Sequence, residues 1–540
     1  MAELLKSGKS KDFDVILMVA EGNKQRVMGF TFSFFFPKTR FAYLDYVASA
    51  PERRKRGYGA ALYESTREIL LAKKCRGLFM DVPTDEKEKL KEISRLSINQ
   101  KRLAFYERFG ARPIIHTLYD NLSTKANQGY LTFLVFDDLE TGRPLRKSEL
   151  RQSIKQILAI KGPMDATDQK LKQIIYSVNE DPVQLRMPRY IKSELVVNKN
   201  NLSYTPIDIV SSGDANHIHH LKEKGYVERP ARIHAILKGL QGITIREHKC
   251  KHFGEKYITE IHDPKMVHYL KEAETHLRPN QLLYPNVFPI RQPNRIPKTW
   301  DTRVGYYCMD TFTPVTSNCY KAAINAVDTA LTGAELVLKG APLCYALCRP
   351  PGHHAERKTF GGFCYFNNAA IAAHYLAKHG KVAFLDIDYH HGNGSQDIFY
   401  QRDDVYFISI HGHPRQAYPY FAGYRDESGE GDGKGFNKNF PLYPNTSDDT
   451  YCETLSSALK LLEKFNPAYL VISLGFDIMA GDPTGTFEIT GKGMFRIGTK
   501  IRSLRKPTLI VQEGGYSLRN LRFGAHEFFT GIAQEPPSHT

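Results

Sequence analysis

The sequence predicts an α/β chain with a small α+β domain over residues 1–137, a helical connector over 138–200, and a larger parallel-sheet domain over 201–540. Three observations predict it. The 540 residues exceed what one ordinary core accommodates. Residues 14–20, 27–36 and 41–48 are strand-like runs punctuated by Gly22-Asn23 and Pro37-Lys38, the pattern of an antiparallel meander. In the back half, residues 343–348, 382–385, 469–474 and 508–511 are short continuous apolar runs, as strands buried on both faces are, and each breaks into polar residues.

Composition excludes several classes. Hydrophobic residues make up 41% and aromatic residues 11%, which is globular rather than disordered. The cysteines at 75, 250, 308, 319, 344, 348, 364 and 452 form no CxxC pair, and a reduced, cytoplasmic setting fits them. The opening MAELLKSGKSKDFD has no signal-peptide core, and no run approaches a membrane span. Of the net charge of +16, about +12 falls in residues 1–200 and about +4 in the rest. The basic excess belongs to the front half, where it suits an anionic partner such as coenzyme A phosphates or a solvated surface better than nucleic acid.

After the meander, the front half continues with Arg53-Arg54-Lys55-Arg56-Gly57-Tyr58-Gly59 and a helical pattern over 61–72. Glycines at a strand-to-helix junction let backbone amides approach a phosphate, and the helix N-terminus favours an anion. Residues 77–82 and 129–136 read as further strands, with NQKRLAFYERFGA at 99–111 between them. In the connector, 148–161 and 168–178 are the helices, broken at Gly162-Pro163 and Pro182.

The back half opens with a strand at 207–210, followed by helices entered from Glu228-Arg-Pro-Ala-Arg232 and Ile261-His-Asp-Pro264. His217, His219 and His220 have no acid or cysteine at ligand spacing and read as surface residues. Residues 280–305 are proline-rich and irregular, long enough to shape a pocket rim. A small-residue helical pattern covers 367–378. The four apolar runs end in His353-His354, in Asp386, Asp388, His390 and His391, in Asp477, and in Glu513 and Tyr516. In an open parallel sheet the carboxyl ends of strands face the ligand crevice, so these groups converge on one pocket. Asp388, His390 and Asp477 offer two carboxylates and one imidazole, a set that leaves a zinc ion an open position.

From about residue 206 to the C-terminus the chain resembles the arginase-deacetylase fold. Within it the resemblance is to the acetylpolyamine amidohydrolases, relatives of the zinc histone deacetylases. The residues that carry it are RPPGHHA at 349–355, GGFC at 361–364, DIDYHHGNG at 386–394, GFD at 475–477 and EGGY at 513–516. The resemblance implies zinc, with iron as the alternative metal, on Asp388, His390 and Asp477. It implies His353 and His354 as the proton-transfer pair, with Asp386 behind His353 and Asn393 behind His354, and Tyr516 facing them. It further implies aromatic walls at Phe363 and Tyr418, and a structural potassium ion near Asp386, Asp388, His390 and Ser409. An acidic rim residue that meets a cationic substrate chain is implied at Asp301, with Asp310 as an open second candidate, and a homodimer through the long loop.

In the front half, RxxGxG at 54–59, the strand after it and NQKRLAFYERFGA at 99–111 resemble the GNAT acetyltransferases over residues 12–137. That resemblance implies acetyl-CoA held by Val47, Arg54, Gly57 and Gly59, with Tyr106 protonating the departing thiolate. The family has a strand and two helices before its meander, which this sequence does not supply ahead of residue 12. The expected function is therefore hydrolysis of N-acetyl amides of polyamines, with protein acetyl-lysine as the rival substrate. The front half stands open between an acetyltransferase and a non-catalytic acetyl-CoA sensor or dimerisation module.

Overall fold

A computed structural model describes residues 12–21, 27–49, 58–90, 92–119, 131–139, 143–161, 168–187, 189–190, 204–219, 221, 223 and 225–535. The chain divides into two compact units, residues 1–198 and 199–540.

The front unit is a six-stranded sheet in the order β1-β2-β3-β4-β6-β5, with β1 at Asp14–Glu21, β2 at Val27–Phe36, β3 at Phe41–Ser49, β4 at Leu78–Pro83, β5 at Arg112–Pro113 and β6 at Thr132–Asp137. The first three strands form the antiparallel meander, and β3 pairs with β4 in parallel. That parallel pairing is short, ending at Leu44↔Met80 although both strands run on. The helices Tyr58–Ala72 and Leu96–Glu107 cover one face through Tyr63, Leu70 and Leu103, against Phe35, Leu44 and Met80.

The opposite face corrects the expected connector. The helices Lys147–Ile160 and Asp168–Tyr176 are a packed layer of the front unit, with Leu150, Ile154, Ile157 and Ile174 buried against Phe32, Phe34, Tyr43, Phe79 and Phe136. Strand alternation explains why two layers are needed, since Phe34 and Phe36 point to one face and Phe35 to the other. Without the second layer those rings would face water.

The rear unit is an eight-stranded sheet, parallel throughout, with helices on both faces. Its strands are β7 at Ile207–Ser211, β8 at Ile245–Lys249, β11 at Leu343–Leu347, β12 at Val382–Asp386, β13 at Val405–Gly412, β14 at Asn437–Leu442, β15 at Tyr469–Leu474 and β16 at Thr508–Gln512. A two-residue ribbon, β9 at Leu282–Leu283 with β10 at Val315–Thr316, lies outside that sheet. The sheet order is β14-β13-β12-β15-β16-β11-β7-β8. The helices Ala231–Gly239, Asp448–Phe465, Gly491–Arg502 and Leu518–Ala533 pack on one face, and Cys319–Leu338 and Asn368–Ala377 on the other. Alanines at 369, 370, 372 and 373 let the last of these lie close to the sheet.

The histidines near 219 also differ from expectation. His217 is exposed and His220 lies outside the described residues, but His219 is 1% exposed. Its ring faces Thr316 Oγ1 at 3.2 Å and its carbonyl accepts from Arg349. A buried arginine at the head of the RPPGHHA segment needs acceptors, and this turn supplies them. Among the described residues no helix is long and apolar enough to cross a membrane.

Candidate active site

Strands β12, β15, β16 and β11 are consecutive in the sheet and parallel, so the segments that follow them leave from one edge. This places side by side the four groups of polar residues that the sequence scatters over 160 positions.

Asp388, His390 and Asp477 come together with their ligand atoms within 4.8 Å of one another. Backbone amides fix both carboxylates. Asp388 accepts from Gly514 N at 2.8 Å and from His390 N at 2.9 Å, and Asp477 accepts from Tyr389 N at 3.0 Å. Gly514 is required here, because a Cβ would sit 2.5 Å from Asp388 Oδ2 and closer still to Asp477. Burial and the Asp388 charge push Asp477 up to about 7, while Asp388 is held well below the usual carboxylate range by His353 and His390 against the cost of its burial. Asp477 Oδ2 is buried, with His390 Nδ1 at 3.2 Å and no aligned hydrogen bond. Two buried carboxylates and an imidazole converging in this way fit a divalent cation.

Beside this cluster, His353 Nδ1 lies 3.1 Å from Asp386 Oδ2 and its Nε2 lies 3.7 Å from Asp388 Oδ1. Burial opposes its charge, yet Asp388 and Asp386 carry its pKa up to about 10. His354 behaves oppositely. Burial first, then His353 and His390, hold it well below the ordinary imidazole value. Its Nδ1 is 2.7 Å from Asn393 Oδ1, which fixes Nδ1 as the protonated nitrogen and leaves Nε2 free to accept.

Three residues support the site, of which Glu356 and Arg232 were given no part in it from the sequence and Glu513 was named only as a strand-end acid. Glu356 stands behind Asn393, accepting from its Nδ2 at 2.8 Å, so a carboxylate is joined to His354 through one amide. Glu513 accepts from Gly352 N at 2.6 Å and His353 N at 3.1 Å and so ties the paired-histidine segment to β16. The Arg232 guanidinium lies 4.8 Å from the centre of the Tyr516 ring and donates to the carbonyls of Gly515 and Glu513. The acid one residue past the histidine pair motif and the charged ERPAR segment were the available signals.

Tyr516 is 7% exposed, and burial, reinforced by Asp477 and Asp388 against Arg232, keeps its hydroxyl protonated. Its ring meets Phe363 at 5.7 Å, Phe312 lies 5.7 Å from Phe363 and 5.6 Å from Tyr418, and Tyr418 stands edge-on to His354 at 4.8 Å. Phe363 and Tyr418 thus join the site with Phe312 between them. Asp310 is turned inward: it accepts from Phe312 N, Thr313 N, Thr313 Oγ1, Gly362 N and Tyr418 Oη, which occupies its carboxylate in shaping this wall.

Asp301 is not among these residues. It is exposed and lines a separate surface cavity of about 780 Å³ with Asn286, Phe288, Arg291, Arg295 and Tyr306. Ser409 Oγ pairs with His411 Nδ1 at 2.7 Å. In the front unit Arg54 and Gly57 lie outside the described residues. Gly59 is in the first turn of the helix Tyr58–Ala72, Val47 is on β3 past the end of its pairing with β4, and burial pushes Tyr106 up to about 12. The helices Lys147–Ile160 and Asp168–Tyr176 follow the last strand and cover the face of the sheet opposite Tyr58–Ala72.

Three converging metal-ligand groups at the ends of parallel strands, with a histidine pair beside them, define a candidate metal-dependent enzyme site. The histone deacetylase domain model matches residues 226–532, and the chain belongs to that family. The acetyltransferase (GNAT) family model matches residues 4–111. An acetylpolyamine amidohydrolase of Burkholderia pseudomallei (strain 1710b) is 42% identical over 314 residues, 56% of this chain and 90% of that protein. Acetylpolyamine amidohydrolase 1 of Pseudomonas aeruginosa is 40% identical over 316 residues, with the same coverage. A crystal structure of acetylpolyamine aminohydrolase from Burkholderia pseudomallei superposes with a TM-score of 0.56 at 37% identity, over 60% of this chain and 98% of the other.

Proposed function

We propose that the rear unit is a zinc-dependent hydrolase that cleaves the N-acetyl amide of acetylated polyamines to the free amine and acetate. The observation that carries the reading is the convergence of two buried carboxylates and one imidazole, the ligand atoms of Asp388, Asp477 and His390 lying within 4.8 Å of one another. A divalent ion on these three residues would supply Lewis acidity to the amide carbonyl and to a water molecule.

The protein's own groups do the rest. His354, neutral and with Nε2 free, takes a proton from the attacking water as its oxygen bonds to the carbonyl carbon, and returns a proton to the amine nitrogen as the C–N bond breaks. His353, held charged by Asp388 and Asp386, supplies positive potential beside the developing oxyanion. Tyr516 donates a hydrogen bond to that oxyanion, and Phe312, Phe363 and Tyr418 exclude water around a methylene chain.

The acetylpolyamine relatives support the polyamine substrate. Protein acetyl-lysine is the second reading, favoured by one observation, the placing of Asp301 in a cavity of its own. Competition between N-acetylputrescine and an acetylated peptide at equal concentration tests the two; preferential turnover of the peptide overturns the first. The front unit's match to acetyltransferases supports an acetyl-CoA site there, checked by calorimetric titration with acetyl-CoA. The family likeness also supports a potassium ion near Ser409, a homodimer and a cytoplasmic setting.

A further inference from the structure

The two large sheets have four edges, and among the described residues three of them are guarded. In the rear unit β8 presents Arg246, Glu247, His248 and Lys249, and β14 presents Lys438 and Pro441. In the front unit β5 is covered by a later stretch of the same chain, where Ile115 N donates to Gln184 O at 3.2 Å and Arg186 N to Pro113 O at 2.8 Å. Charge, proline and a covering segment are the means by which an open edge is kept from pairing with another chain.

The fourth edge, β1, has none of these. Its sequence DVILMVAE carries charge only at its two ends, and no proline. It pairs with β2 residue for residue from Asp14↔Phe35 to Ala20↔Gly29, so its outer row of amides and carbonyls is regular over that length and meets no strand among the described residues. Alternation puts Val15, Leu17 and Val19 on the face that carries the helix Lys147–Ile160, opposite Phe34, Phe32 and Phe30 of β2. Val15 packs against the core on that face, whereas Leu17 is 44% and Val19 40% exposed.

What fits this edge is the same edge. A twofold axis perpendicular to the sheet keeps each face on its own side and runs the two strands antiparallel. Centred on Leu17, it sets Leu17 against Leu17, Val15 against Val19 and Ile16 against Met18, with Asp14 against Ala20, so apolar residues meet apolar residues and no two acids meet. Centred one residue later it sets Glu21 against Val15, and one residue earlier Asp14 against Met18. Asp14 already has Lys73 Nζ at 3.2 Å. We propose that β1 is a contact between two copies of this chain, joined edge to edge about a twofold axis at Leu17 so that their two front sheets continue as one. The inference rests on no reading of either unit's chemistry.

The full chain carrying Leu17→Cys, oxidised with glutathione disulfide and run on a non-reducing gel, should give a covalent dimer, since residues facing each other across an antiparallel pair have Cα atoms about 5 Å apart. Val19→Cys alone should not, because its two copies would stand about 14 Å apart along the strands. Mixed with Val15→Cys it should. No dimer from Leu17→Cys overturns the proposal, and so does equal linkage at 17 and 19, which would mean encounters without a register. A second measurement needs no cysteine: amide hydrogen exchange over residues 14–21 of the unaltered protein should slow as protein concentration rises, and Leu17→Lys, which sets two like charges face to face, should lose that dependence. Exchange independent of concentration in the unaltered protein, or equally dependent on it in Leu17→Lys, would also overturn it.

Discussion

His390 Nδ1 and Asp477 Oδ2 stand 3.2 Å apart, yet Oδ2 accepts no aligned hydrogen bond and is shut off from water. Two buried carboxylates this close need positive charge, which a divalent ion on Asp388, His390 and Asp477 would supply. Chelation should therefore abolish deacetylation, zinc should restore it, and Asp477→Asn, which removes a ligand, should weaken metal binding by more than the roughly 10- to 100-fold typical of residues that only support a ligand. Metal content by mass spectrometry and turnover on one preparation check this. Full turnover in metal-free protein would remove the assignment.

His354 reaches a carboxylate only through the Asn393 amide, with Glu356 behind it. A neutral amide raises the imidazole pKa less than a carboxylate would, which suits a base that is neutral at rest. His354→Ala should lower kcat by about 10²- to 10⁴-fold while metal content is unchanged. Glu356→Gln, which keeps shape and loses charge, should lower kcat about tenfold with KM unchanged. Equal loss of metal and turnover in His354→Ala would contradict its role.

The strands that carry the site were legible because residues buried on both faces leave unbroken apolar runs; Asp386 ends its strand, and Asp388, Asp477 and Tyr516 stand just past the ends of theirs. What supports the site was not. Glu356 and Arg232 act across 37 and 283 residues of chain, and no local pattern marks such partners; Glu513 stood out as a strand-end acid, but not as the acceptor of the Gly352 and His353 amides. The segment holding the helices at 147–160 and 168–176 is charged and broken at Gly162-Pro163 and Pro182, so a structural layer read as a connector; what the buried side of each helix covers is set by distant strands. His219 had no pattern at all, and its burial follows from Arg349.

Tyr516 is pinned by Arg232 at its ring and by Asp482, which accepts from its amide at 2.8 Å. Tyr516→Phe removes only the donor, so kcat should fall about 10²- to 10³-fold with little change in KM. Because its hydroxyl is held protonated well above the ordinary range, the basic limb of the rate profile in the unaltered enzyme should not report it.

Asp301 is exposed, and Arg291 and Arg295 line the same cavity. If the cavity guides a cationic chain to the site, Asp301→Asn should reduce kcat/KM for N-acetylputrescine and leave an acetylated peptide nearly unaffected. The effect should shrink at high salt, as exposed charges are screened. Equal loss on both substrates would assign Asp301 to folding of the loop.

His262 offers a test of stability separate from catalysis. Its Nδ1 donates to Glu356 O at 2.8 Å and its Nε2 accepts from Asn367 N at 2.9 Å, an arrangement that only the neutral ring satisfies. Burial lowers its pKa from 6.5 to about 4. The unfolded chain therefore binds the proton first as pH falls. Stability from this ring is complete above pH 6.5, declines between 6.5 and about 4, and is level below, a loss of about 3 kcal/mol. In urea titrations following loss of deacetylase activity, the advantage of the unaltered protein over His262→Gln should narrow from pH 7 to pH 4.5. A difference independent of pH would mean that the ring stabilises through packing alone.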